Sequence, residues 1–305
     1  MASTSFTARA DAGHVTAFLA LGLGAVAMGI SPIFVRFANA DVGPFASAFW
    51  RVFLALPVLY AWMRIEDACA PAGTRRRSFS AATVLAGLAF SGDLFFWHLS
   101  ILNTTVANAT FFATTAPIFV VLIVWIVLRQ RVHLSTWLGL GFCLLGGAAL
   151  IGQSFEVDPS RIRGDLYGVV TAFFFGLYFL FVGRARGASG AARVTFESGV
   201  ITAAALLAIA LLFDSRVLPQ TWPGVAALAG MAFISQAGGQ GLLAVALGRL
   251  PAVFSSLVIF LEAVAAALFG WLILSEALSL PQALGGVLIL AGIWIARPKP
   301  EAPLT

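Results

Sequence analysis

Asp93 stands near the middle of a long apolar stretch, 81–102, with Trp97 one helical turn further along the same face. A carboxylate at that depth in a membrane helix costs about 2.5–3.5 kcal/mol on insertion scales, so it needs a partner, water or a task. Glu262 is a second acid, midway along 251–274, and Gln236 and Gln240 share one face of 222–247. Arg51 lies roughly 12 Å into 43–62 at a rise of 1.5 Å per residue. Together these types suit a dipolar ligand. Asp93 or Glu262 would accept from an ammonium, and Gln236, Gln240, Asn108 or Arg51 would donate to a carboxylate. Trp97, Phe90 and Phe111 would offer stacking faces to an apolar, aromatic or cationic group. Asn108, Phe111 and Thr115 fall on one stripe of 104–128 that could line a cavity. Plainer readings stand beside these: Arg51 with an acid as an ion pair between helices, Glu197 reaching water from a helix end, and His98 as a packing residue.

The elements that must position these groups follow from composition. Of 305 residues, 60% are hydrophobic and only 10% charged, too little polar surface for a water-soluble domain. Roughly 20 apolar residues are needed to cross the hydrocarbon core. Ten stretches qualify: about 14–36, 43–62, 81–102, 104–128, 134–151, 164–183, 194–213, 222–247, 251–274 and 280–296. They are too long for barrel strands, so the expected class is an all-α membrane protein of ten transmembrane helices, spans 1 to 10.

Basic residues set the expected orientation. With the N-terminus inside, thirteen of the eighteen fall on the cytoplasmic side and four (Arg36, Arg161, Arg163, Arg216) on the other, with Arg51 within span 2. Both termini are therefore expected in the cytoplasm. The net charge of +5 reports topology and anionic lipid, and it does not suggest nucleic acid. Two cysteines, Cys69 and Cys143, give neither a disulfide nor a metal framework. His14, His98 and His133 lie far apart, and no Gly-x-Ser-x-Gly or His-Glu-x-x-His pattern occurs, so an enzyme finds no parts here. No cofactor or nucleotide-binding loop is expected.

The chain repeats itself. Leu85-Ala86-Gly87-Leu88-Ala89-Phe90 returns as Leu228-Ala229-Gly230-Met231-Ala232-Phe233, and at that offset Asp93 pairs with Gln236 and Trp97 with Gln240. A second offset pairs Trp125 with Trp271, Gly139 with Gly285 and Gly146 with Gly292. The expected halves are 14–152 and 164–297, joined by a loop over 153–163 and flanked by cytoplasmic tails 1–13 and 298–305. Five spans per half is odd, so the halves are expected to be inverted about an axis in the membrane plane, enclosing a central cavity with oppositely facing gates. The glycines of spans 5 and 10 suit close packing, and leave open whether these spans brace the bundle or form a homodimer.

Leu274-Ser275-Glu276-Ala277-Leu278-Ser279-Leu280 with Gln282 and Gly285 resembles the EamA repeat of the drug/metabolite transporter superfamily. Gly29-Ile30-Ser31-Pro32-Ile33-Phe34-Val35-Arg36, Ala48-Phe49-Trp50-Arg51 and Gly92-Asp93-Leu94-Phe95-Phe96-Trp97-His98 are similar to its bacterial amino-acid and metabolite exporters, the YddG-type included. The resemblance covers about 14–297. It implies a cavity ringed by spans 1–4 and 6–9, with spans 5 and 10 outside. Two positions depart from the pattern: Gln130 where the second repeat has Glu276, and Ala263 in place of the proline that often follows the span 9 acid. The resulting expectation is a secondary transporter of the bacterial inner membrane, exporting amino acids or related small metabolites by alternating access. A multidrug or lipophilic-cation exporter using the same cavity is the alternative, and an intramembrane enzyme is the different-class one.

Overall fold

In lipid a backbone must satisfy its own hydrogen bonds, and this chain does so with helices. The structure, a computed structural model, describes residues 2–70, 78–151, 159–274 and 278–298. Among these residues no strand occurs. Arg75 to Arg77, Ser275 to Ala277 of the repeat motif, Lys299 and most of the inter-repeat loop lie outside the described residues.

Five predicted spans are single helices: α5 (Ala81–Asn103), α8 (Leu134–Ile151), α9 (Ile162–Arg186), α10 (Ala191–Phe213) and α15 (Leu280–Ala296). The other five are interrupted. Span 1 is α1 (Ala2–Gly29) followed by α2 (Ser31–Ala38), and span 2 is α3 (Pro44–Phe53) followed by α4 (Leu56–Cys69). Span 4 joins α6 (Val106–Thr114), α7 (Ala116–Leu122) and a π turn at Ile123–Val127. Span 8 runs from α11 (Trp222–Gly230) through a π segment, Met231–Gln240, into α12 (Gly241–Ala246). Span 9 is α13 (Ala252–Val258) and α14 (Phe260–Leu274). Proline opens α2, α3, α4, α7, α11 and α15, where its missing N–H costs nothing and its fixed φ suits the first turn.

Among the described residues nine stretches are long and apolar enough to cross a membrane. The tenth predicted span, Leu280–Ala296, is an apolar helix of 17 residues. It starts with a capping box in which Ser279 accepts from the Gln282 N–H while the Gln282 side chain accepts from the Ser279 N–H.

The glycines of α8 and α15 face each other within one chain. A Cβ on Gly139 would meet the carbonyl of Gly292 at 2.5 Å, and one on Gly146 would meet that of Gly285 at 2.5 Å. The pairing is crossed: each glycine touches the counterpart of the other. Crossed pairs are what a two-fold axis between two helices produces. These glycine faces brace the bundle internally. Outer leucines such as Leu145, Leu284 and Leu290 remain exposed on the two helices.

Spans 2 and 7 are also joined reciprocally, once at each end. Asp214, just past α10, accepts from the Ala46 N–H in the first turn of α3 at 2.5 Å. Glu66, near the end of α4, accepts from the Arg193 N–H in the first turn of α10 at 3.3 Å. Both receiving helices start at a glycine, Gly43 and Gly190, where a side chain would collide with the capping carboxylate. An acid at a helix N-terminus satisfies orphan amides and complements the positive end of the dipole.

Candidate functional site

The interrupted spans converge on the middle of the bundle. A cavity of about 50 Å³ opens there, with Arg51, Phe90, Asp93, Trp97, Gln240 and Glu262 in its wall. Each is placed by a particular element. Asp93 and Trp97 project from the same face of the unbroken α5, and Glu262 sits in the first turn of α14, just past the break at Ile259. Gln240 ends the π segment of span 8, whose wider turn still leaves it near the face of Gln236.

Arg51 anchors the site. Its Nε donates to Gln236 Oε1 at 3.2 Å and its Nη1 to Ser31 Oγ at 3.2 Å, the latter beside the break in span 1. Its guanidinium carbon lies 6.0 Å from the Phe90 ring, at the outer limit of a cation–π contact. Phe90 stacks on Tyr178 at 4.7 Å, and Tyr178 on Phe175, so an aromatic ledge backs the arginine. Glu262 and Asp93 both lie within electrostatic reach of Arg51, yet among the described residues neither forms a direct ion pair with it. The three charges share a cavity without closing it. That differs from a structural ion pair, which would be in contact.

Span 4 presents a different face from the one expected. Thr110, Ala113 and Thr114 line the cavity, while Asn108, Phe111 and Thr115 turn away. Asn108 is fully buried and donates from Nδ2 to Asp165 Oδ1 at 3.2 Å, tying span 4 to the start of α9. Phe111 packs where a Gly147 side chain would otherwise be, against span 5. Thr115 bonds back to the Phe112 carbonyl at 2.6 Å, at the break before Pro117. The physical reason is that the Asn108 amide nitrogen meets Asp165 at the start of α9, which turns that side of α6 away from the cavity. Met28, Ser31, Leu94 and Phe175 also enter the wall, none of them marked by charge.

Two further residues settle plainly. His98 is buried, with Nδ1 on the Leu94 carbonyl at 2.7 Å, its ring tilted against Phe45 and Nε2 without a partner among the described residues. Glu197, expected to reach water, is 2% exposed instead. It accepts from Ser78 Oγ and Phe79 N, each at 2.8 Å, and pairs with Arg193 at 3.0 Å. Arg193 in turn holds Asp67 at 2.6 Å. The segment before α5, turned by Phe79 at φ 45°, folds over the acid and supplies its donors. No group of three metal-ligating side chains occurs among the described residues.

A duplicated, multi-pass helical fold around a polar internal cavity defines a membrane carrier architecture. The EamA-like transporter family model matches residues 15–152 and again 162–297, one copy per half. The chain belongs to that family: it is a membrane transporter and not an enzyme. An uncharacterised transporter of Archaeoglobus fulgidus is 29% identical over 278 residues, spanning 91% of this chain and 94% of its own. A second from the same organism is 24% identical over 276 residues, covering 88% and 92%. A solved crystal structure superposes with a TM-score of 0.76 at 18% identity, covering 94% of this chain and 97% of that one, which shows the shared fold.

Proposed function

We propose that this chain is a secondary carrier that exports amino acids or related small metabolites across the bacterial inner membrane by alternating access. In this reading ten spans form two inverted halves, and both termini are cytoplasmic. The observation that carries it is the joint presence of Arg51, Asp93 and Glu262 around one buried cavity, unpaired with each other. Such a set offers a donor to a carboxylate and acceptors to an ammonium, while Phe90, Trp97 and Phe175 give the rest of the substrate an apolar wall. The binding groups assigned are Arg51, Asp93, Glu262, Gln240, Phe90 and Trp97, with Gln236 holding Arg51 in place.

The test is counterflow in proteoliposomes with radiolabelled amino acids. Saturable exchange of at least one amino acid supports the reading. Absence of exchange across neutral, aromatic, acidic and cationic members sinks it. The aromatic ledge under Arg51, beside two acids, also suits a lipophilic cation. Uptake of tetraphenylphosphonium with no amino-acid exchange would favour that second reading.

A further inference from the structure

The cavity wall holds polar groups that have no partner among the described residues. Arg51 is bonded through Nε and Nη1, which leaves Nη2 alone without a protein partner among the described residues. The carboxylates of Asp93 and Glu262 receive no hydrogen bond among the described residues. Gln240, 1% exposed, has a side-chain oxygen with no partner, and the Thr110 hydroxyl is likewise unmet. A buried polar atom with nothing to bond costs about 1–3 kcal/mol, so these atoms are aimed at something that comes and goes.

The charges are unequal as well. When both are ionised, two carboxylates face one guanidinium, an excess of one negative charge in a medium that tolerates net charge poorly. A neutral zwitterion cancels its own charge and leaves that excess in place. An acidic amino acid enlarges it. An amino acid with a second cation removes it, with its carboxylate on Arg51 Nη2 and its two positive groups on Asp93 and Glu262. Trp97, one turn from Asp93, and Phe90 offer ring faces to the aliphatic stem and the cationic end.

We infer that the cavity selects amino acids bearing a second positive charge on the side chain, the class of ornithine, lysine and arginine. This rests on the reading of the chain as an amino-acid carrier.

The experiment is lysine counterflow in proteoliposomes of the full chain, with competition by arginine, ornithine, leucine, phenylalanine, glutamate and tetraphenylphosphonium. Arginine and ornithine are expected to compete at concentrations about tenfold or more below leucine and phenylalanine, and glutamate not at all. Asp93→Asn removes the excess charge, so the same panel is expected to shift toward leucine and phenylalanine by about tenfold. Glu262→Gln serves as a second neutralised variant, and the wild-type ranking needs no variant at all. Leucine or phenylalanine competing as well as arginine in the wild type overturns the inference and leaves amino-acid carriage standing. Exchange of no amino acid overturns both.

Discussion

Cys143 donates its thiol to the carbonyl of Ile289, its own counterpart in the second half, across 3.7 Å. Counterparts touch each other only where a two-fold axis passes between them, and the crossed glycine pairs flank this contact on both sides. The two halves therefore meet backbone on backbone through α8 and α15. Without a hydrophobic drive between helices in lipid, such close packing is a main source of association.

Gly146→Leu should destabilise the protein by about 1–3 kcal/mol, because its new side chain must displace the Gly285 backbone. Thermal unfolding in detergent measures this. Gly141 has open space around it, so Gly141→Ala should leave the melting temperature unchanged or slightly higher. Equal losses at both positions would contradict the crossed packing.

Gln240 and Asn108 should separate binding from stability. Gln240→Ala should raise the half-saturation concentration for exchange while melting stays near wild type. Asn108→Ala should cost about 1 kcal/mol of stability by removing the bond to Asp165, with half-saturation little changed. The reverse pattern would return Asn108 to the cavity.

Arg193 neutralises a buried acid. Arg193→Met leaves Glu197 at 2% exposure without its ion partner, and a loss of roughly 3 kcal/mol is expected. The double variant Arg193→Met with Glu197→Gln should recover part of it. No recovery would show that Asp67, not Glu197, is the partner that matters.

Two carboxylates outside the spans should respond to acid in opposite senses. Burial pulls the Asp41 carboxyl upward, but the Thr221 and Gln220 N–H groups, the Thr221 hydroxyl and Arg216 outweigh it and hold the group below the ordinary carboxylate range. A lowered folded value means stabilisation that is complete above the ordinary value, about 3.9, and is lost as pH falls below it. The melting difference between wild type and Asp41→Asn should therefore be full near pH 7 and close below about pH 4. Asp214 is pushed up by burial against the pull of the Ala46 and Phe45 N–H groups. It should take its proton first on acidification. A wild-type to Asp41→Asn gap that widened in acid would refute the assignment.

How far the residues announced this arrangement depends on how unwelcome each is in lipid. Arg51, Asp93, Glu262 and Gln240 could be gathered from sequence because no charge or amide in an apolar span can comfortably face hydrocarbon. Thr110 and Thr114 could not, since hydroxyls bond back to their own helix and either face of span 4 tolerates them. Which face turned inward was decided by Asp165, on a different helix. Glu197 misled because its donors come from an irregular segment that carries no periodicity. The glycines were legible as packing faces, but only three dimensions show that they pack on one another.

Under the proposed alternating access, the crossed caps of spans 2 and 7 would make the bundle an insulator as well as a conduit. One clasp, Asp214 on α3, closes one end, and the other, Glu66 on α10, closes the opposite end of the same two helices. In the proposed alternating access, parting one clasp while the other holds would turn the pair about a fixed point and open a path to one side while the far side stays sealed. With both acids truncated, Asp214→Ala with Glu66→Ala, both reciprocal caps are lost. Dye-loaded vesicles carrying that variant should lose their proton gradient faster than wild-type vesicles, whereas either single change should leave the gradient intact.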